Sequence, residues 1–183
     1  MSLTNLLLRI IGWRVVTDED ISKYDKAVLI MSPHTSNNDF IIGWLALKKL
    51  NVKAKFLIKK ELFFFPLSAI LKSLGALPVD RKNPKNLPIE LINIIDKSSN
   101  MWLIITPEGT RKPVYHWKKG FYYIAQKTDI PIIPSFLDYD KKVAHVLPAF
   151  HPTGDYDKDM LPFIEILKNV IPKNKDNFVL PKK

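Results

Sequence analysis

The chain has 183 residues, 46% of them hydrophobic, enough for one globular domain with a substantial core. It holds no cysteine, which excludes disulfides, cysteine-ligated zinc and thiol catalysis, and its formal charge of +10 calls for an anionic partner. No run of about 18 uninterrupted apolar residues occurs, so no membrane-spanning helix is predicted.

Residues 3–14 set Leu3, Leu6, Leu7, Ile10, Ile11 and Trp13 against a narrow polar stripe of Asn5, Arg9 and Gly12, the spacing of an amphipathic helix. A short helix of this kind, bearing Arg and ending in Trp, fits either a membrane interface or a dock on the core. Residues 1–16 are therefore set apart as a possible membrane-interface helix from a domain over residues 17–183. The apolar run Leu6 to Ile11 is too short for a signal peptide, and the mature chain is expected to begin near Met1. Residues 17–26 are polar and read as a connection.

Ala27 to Met31 is a short apolar run that reads as a buried strand, and Phe40 to Leu50 reads as a helix. Lys53 to Ile58 is a second strand and Glu61 to Leu74 a second helix, broken or bent near Pro66. Its Leu62-Phe63-Phe64-Phe65-Pro66-Leu67 segment is either core or a lipid-facing lip or acyl-chain wall. Gly75 ends that helix and Ala76 to Val79 is a short strand. A helix over residues 87–97, a strand over Met101 to Ile105, a helix over Gly120 to Thr128 and a strand over Ile130 to Leu137 follow. Val143 to Leu147 is expected to pair with that strand as a hairpin, and a last helix runs from about Asp159 to Val170 before a Lys-rich tail. Strands alternating with helices predict an α/β fold, with a mixed, largely parallel central sheet covered by helices.

Two strand-to-helix loops carry the chemistry. In the first, Ser32-Pro33-His34-Thr35-Ser36-Asn37-Asn38-Asp39, Ser36 reads as a helix N-cap and Asp39 as its capping-box partner. Asp39 is also placed to accept a hydrogen bond from one ring nitrogen of His34, leaving the other free to take a proton from a hydroxyl. Five residues apart on one helix the two side chains would diverge by about 140°, so His34 must lie in the loop. In the second, Pro107-Glu108-Gly109-Thr110-Arg111, the Gly admits a close approach to the backbone, Thr110 offers a hydroxyl, and Arg111 a planar fork for phosphate. The plain alternative is a turn in which Glu108 pairs with Arg111 and Gly109 supplies a positive φ. Ligands collect at the carboxyl ends of strands in such folds, where both loops are placed. His116, His145 and His151 lack metal-ligand spacing and no metal site is expected.

Taken together, His34-x4-Asp39, Lys59-Lys60-Glu61-Leu62 leading to Val79-Asp80-Arg81, Pro107-Glu108-Gly109-Thr110-Arg111 and Ile130-Pro131-Ile132-Ile133-Pro134 resemble, in order, the four blocks of the glycerolipid acyltransferase family. That family includes the glycerol-3-phosphate and 1-acylglycerol-3-phosphate acyltransferases, and the resemblance covers roughly residues 27 to 137. It implies acyl transfer from acyl-CoA or acyl carrier protein to a hydroxyl of a glycerol phosphate or lysophospholipid acceptor such as lysophosphatidate, without a cofactor. In that frame residues 17–183 are the acyltransferase domain, His34 is the general base and Asp39 orients it. Arg81, Arg111 and Lys59 bind the acceptor phosphate, and Glu108, Gly109 and Thr110 shape the acceptor loop. Thr106 and Lys112 depart from the residues usual at those places.

An anionic acceptor, an anionic donor and an anionic membrane surface all suit a charge of +10. The expected location is cytoplasmic, peripheral on the cytoplasmic face of the membrane. The alternative is a non-catalytic lipid or phosphate-binding protein of the same fold. No nucleic-acid partner is expected, since no helix-turn-helix, zinc finger or aromatic RNA-binding signature occurs. The expectation to be tested is geometric: the two loops must face each other across one cleft, with Arg111 and Arg81 near a phosphate whose neighbouring hydroxyl reaches His34.

Overall fold

A computed structural model describes residues 2–80 and 86–182. Seven strands form one sheet in the order β1-β7-β6-β2-β5-β3-β4, where β1 is Arg14–Thr17, β2 Lys26–Met31, β3 Ala54–Lys59, β4 Ala76–Val79, β5 Met101–Ile105, β6 Ile132–Asp138 and β7 Val143–Val146. Every pair is parallel except β6 with β7, the predicted hairpin. Among the described residues six α-helices accompany it: α1 Leu3–Ile10, α2 Asn38–Lys49, α3 Leu67–Ser73, α4 Leu87–Lys97, α5 Gly120–Thr128 and α6 Tyr156–Leu167.

The central strands explain the layering. Side chains alternate across a strand, so the buried β2 needs apolar partners on both faces. Ala27, Leu29 and Met31 pack with α1 and α2, whereas Val28 and Ile30 pack with α4, α5 and α6. At about 25 cal/mol per Å² of apolar surface removed from water, these two cores dominate the stability of the domain.

Three elements differ from expectation. The amino-terminal helix stops at Ile10, Gly12 turns the chain at φ +75, and Arg14–Thr17 becomes an edge strand beside β7. The helix predicted over Glu61 to Leu74 is a 3-10 turn at Lys60–Leu62 and then α3, because Pro66 lacks the N–H a continuous helix needs and stands at the α3 N-cap. The last helix starts at Tyr156, where Asp155 caps it by accepting from the Lys158 N–H at 3.1 Å. Gly75 follows α3 at φ +91, and a Cβ there would lie 2.3 Å from the Ala54 carbonyl oxygen.

The apolar face of α1 points away from the protein. Leu8 and the following Trp13 are buried, but Leu3 and Ile10 are each 71% exposed and Leu6 and Leu7 lie on the same open side. The Phe-rich segment after β3 is likewise uncovered, with Phe65 91% exposed beside Leu62, Phe64 and Ile70, so it is not core.

Candidate active site

β2 and β5 are parallel neighbours, with Ile30 opposite Ile105, so the loops that follow them leave the same edge of the sheet side by side. This pairing is why two segments some seventy residues apart meet. Ser32 and Glu108 join them: the Ser32 hydroxyl donates to Glu108 Oε1 at 2.6 Å, and the His34 peptide N–H donates to the same oxygen at 3.1 Å. Glu108 therefore does not pair with Arg111 and instead lies beneath the His34 loop, 6% exposed. Burial pushes its carboxyl up from 4.5 to about 7, against the hydrogen bonds from Ser32 and from backbone N–H groups that favour the anion. Glu108 Oε2 is buried and accepts from nothing among the described residues.

Asp39 is the other buried acid, 1% exposed. Its Oδ2 accepts from His34 Nδ1 at 3.2 Å and from the peptide N–H groups of Thr35 at 2.8 Å and Ser36 at 2.9 Å. Its Oδ1 accepts from the Tyr139 hydroxyl at 2.7 Å. Burial works against ionisation here too, but the hydrogen bonds from His34, Tyr139, Ser36 and Thr35 outweigh it and hold the carboxyl below the usual carboxylate range. The N-cap of α2 is Asn37 rather than Ser36, and only half of the expected capping box forms: Asp39 accepts from the Ser36 N–H, while Ser36 Oγ accepts from the Asn38 N–H at 3.1 Å instead of from the Asp39 N–H. With Asp39 fixing a proton on Nδ1, the Nε2 of His34 is left as an acceptor without a partner among the described residues.

The loop is also tied from the far end of the chain. The Asn174 peptide N–H donates to Thr35 Oγ1 at 3.2 Å and its side-chain amide to the Thr35 carbonyl at 2.8 Å.

His34 and Asp39 open on a cavity of about 760 Å³ that is also lined by Lys59, Gly109, Thr110 and Arg111. Its further wall is apolar, with Met31, Phe40, Phe56, Leu87, Leu91 and Ile104 among the lining residues. A volume in this range, mostly apolar with a few convergent polar groups, is what a small ligand or acyl chain requires. Arg111 is exposed and donates from Nη1 to Asn37 Oδ1, which reaches across from the first loop. Lys59 ends β3 at the same rim. Thr110 Oγ1 accepts from the Lys112 N–H at 3.3 Å. Gly109 adopts φ +64, and a Cβ on it would meet Lys118 Cε and Nζ at 2.9 Å, so the glycine makes room for a lysine stem. Arg81 lies outside the described residues. No cluster of metal-ligating side chains occurs among the described residues, and His145 is paired with Asp18 at 2.7 Å.

The structure thus gathers His34, Asp39, Lys59, Gly109, Thr110 and Arg111 around one cavity, with Glu108 beneath the His34 loop. Sequence reasoning missed Tyr139 and Asn174, which reach the first loop from 100 and 139 residues away and leave no local signal.

A family model described as Acyltransferase matches residues 13–138. A 1-acyl-sn-glycerol-3-phosphate acyltransferase of Cocos nucifera is 32% identical over 176 residues, 85% of this chain and 56% of that protein. A probable 1-acyl-sn-glycerol-3-phosphate acyltransferase of Mycoplasma pneumoniae is 31% identical over 140 residues, 72% of this chain and 52% of that protein. The chain therefore spans little more than half the length of these relatives. Among solved structures, the 1-acyl-sn-glycerophosphate (LPA) acyltransferase PlsC of Thermotoga maritima shares the fold, with a TM-score of 0.56 at 18% identity over 93% of this chain and 78% of that one.

Proposed function

The chain belongs to the acyltransferase family, and from that premise we propose that it is an O-acyltransferase moving a fatty acyl group from acyl-CoA or acyl carrier protein to a hydroxyl of a glycerol phosphate lipid such as lysophosphatidate. The observation that carries the reading is the His34–Asp39 contact at 3.2 Å, on a cavity lined by Arg111 and by apolar side chains. His34 Nε2 takes the proton from the acceptor hydroxyl as its oxygen attacks the thioester carbonyl. The new C–O bond forms, the C–S bond breaks, and the departing thiolate receives the proton from His34. Asp39 keeps the imidazole in the required tautomer and balances the imidazolium that forms between the two transfers. Arg111 turns from Asn37 to the acceptor phosphate, assisted by Lys59 and Arg81. Glu108 holds the His34 peptide in place, and the apolar part of the cavity takes the acyl chain.

Access to a lipid is proposed through the uncovered faces of α1 and of the Phe64–Phe65 lip, drawn to an anionic bilayer by a charge of +10. The α1 helix thereby serves as the membrane-interface segment on the cytoplasmic face, whereas residues 14–16, set apart with it by the sequence, lie in β1 and belong to the acyltransferase domain. No helix among the described residues is long and apolar enough to cross a membrane.

The test is a donor and acceptor screen with mass-spectrometric detection of the acylated product, run beside His34→Ala. The expected result is turnover with a lysophosphatidate-class acceptor and a loss of at least about a hundred-fold in the variant with its fold retained. Equal turnover in the variant removes the general-base assignment. Vesicle binding without turnover of any thioester favours a non-catalytic lipid-binding protein instead.

A further inference from the structure

Resting on the dyad reading above, we propose that Tyr139 is a third, positioning member of the site, tuning His34 through the carboxylate of Asp39. Tyr139 follows the last residue of β6 and lies one residue beyond the span matched by the family model. Asp39 Oδ2 receives three donors, but Oδ1 receives the Tyr139 hydroxyl alone among the described residues, at 2.7 Å. The bond is charge-assisted and lies in a nearly dry setting, where such bonds carry the most weight.

The phenol is itself held from three sides. Its peptide N–H donates to the Ile171 carbonyl at 2.8 Å, the Trp13 ring meets its ring edge-on with centroids 4.9 Å apart, and Lys173 Nζ stands 5.6 Å from the ring centroid. Burial, and then the bond to Asp39, raise the phenol well above its ordinary value, so it stays a donor across the working pH range. A tyrosine recruited only to satisfy a buried oxygen would need none of this bracing from Trp13, between α1 and β1, and from the segment after α6.

The hydroxyl draws negative charge toward Oδ1 and away from the oxygen that faces His34. Removing it leaves Oδ1 bare, concentrates charge on Oδ2 and makes the dyad bind its proton more tightly. Among the described residues, the other ionisable groups near this arrangement include Glu108 beneath the His34 peptide, Lys173 over the Tyr139 ring, and Asp140, Lys142 and Lys175, which line a cavity with Tyr139, and Arg111 reaches the loop through Asn37. None of these changes in a Tyr139→Phe substitution.

The experiment follows the titration of the dyad in the full chain by histidine NMR, with the pH dependence of kcat measured beside it for palmitoyl-CoA and lysophosphatidate. In Tyr139→Phe the dyad midpoint and the acid limb of kcat are expected to move up by about one pH unit, a tenfold tighter proton. Near neutral pH kcat falls several-fold, and at alkaline pH it recovers to within about two-fold, with both KM values nearly unchanged. Replacing Tyr139 by 3-fluorotyrosine, which keeps the ring and strengthens the donor, moves the midpoint down and remains informative where Tyr139→Phe folds poorly. A midpoint that stays put in both variants, or a kcat lowered equally at every pH, overturns the proposal. If His34→Ala is inactive while the Tyr139 variants behave as the parent, Tyr139 alone is reassigned to structure. If His34→Ala is fully active, the dyad reading falls and this inference with it.

Discussion

Glu108→Gln isolates the cost of a carboxyl buried under the histidine loop. The native side chain is 6% exposed, and burial raises it from 4.5 to about 7. At about 1.4 kcal/mol per unit, that interval corresponds to about 3 kcal/mol. Its sign follows from proton counting: between pH 4.5 and about 7 the folded chain keeps a proton on Glu108 that the unfolded chain has released. Stability contributed by the neutral form is therefore complete at low pH, is lost as pH rises through that window, and falls no further above it. Glutamine never ionises, and its Oε1 can keep the bonds from Ser32 Oγ and the His34 N–H. The raw stability of either protein also contains Asp39, whose depressed value acts in the opposite direction at low pH, but that contribution cancels in the comparison. Urea unfolding followed by tryptophan fluorescence at pH 5 and pH 8 gives the two differences. Because pH 5 already lies inside the window, the variant is expected to gain about 2.5 kcal/mol on the parent between those conditions, whatever its starting offset. An unchanged difference at the two pH values refutes the buried-acid account. Because the His34 peptide stays anchored, kcat is expected to remain within about ten-fold of the parent.

Two further outcomes bear on binding. Arg111→Ala is expected to raise KM for a phosphate-bearing acceptor by about ten-fold, or about 1.4 kcal/mol, and to leave KM for the donor unchanged in initial-rate kinetics. An equal rise for both substrates would detach Arg111 from the acceptor phosphate. A Leu3→Ser, Ile10→Ser double variant removes two exposed apolar groups and is expected to weaken flotation with anionic vesicles by about ten-fold or more, while shifting the Tm by only a few degrees. Unchanged flotation would assign membrane contact to other surfaces.

The parts legible in the sequence are those with dense local signals. β2 and β5 stand out as short apolar runs because both faces of each are covered, and the loops after them carry Gly, Pro and charged residues that continue neither strand nor helix. β1 was hidden because one exposed and three half-exposed residues, Arg14 to Thr17, carry too little pattern, and what makes them a strand is β7, well over a hundred residues later. The orientation of α1 was equally hidden. Its periodicity defines an apolar stripe but not whether that stripe meets protein or solvent, and burial of Leu8 and Trp13 turned Leu3 and Ile10 outward. For Glu108, the local turn chemistry pointed to Arg111, whereas the parallel pairing of β2 with β5 delivered it to Ser32 and His34.

The tie between Asn174 and Thr35 bears on when the protein acquires its site during synthesis. His34, Asp39, Glu108 and Arg111 have all been translated while β6, β7, α6 and the segment that holds Thr35 are still to come. β1 and the helix before it lack their sheet neighbour until Val143 to Val146 emerges. A nascent chain, or one that stops at residue 138, carries every recognisable motif but lacks the Tyr139 bond to Asp39 and the Asn174 bonds to Thr35. A fragment chosen by the motifs alone therefore omits the Asn174 bonds to the histidine loop and is an unsound basis for an assay.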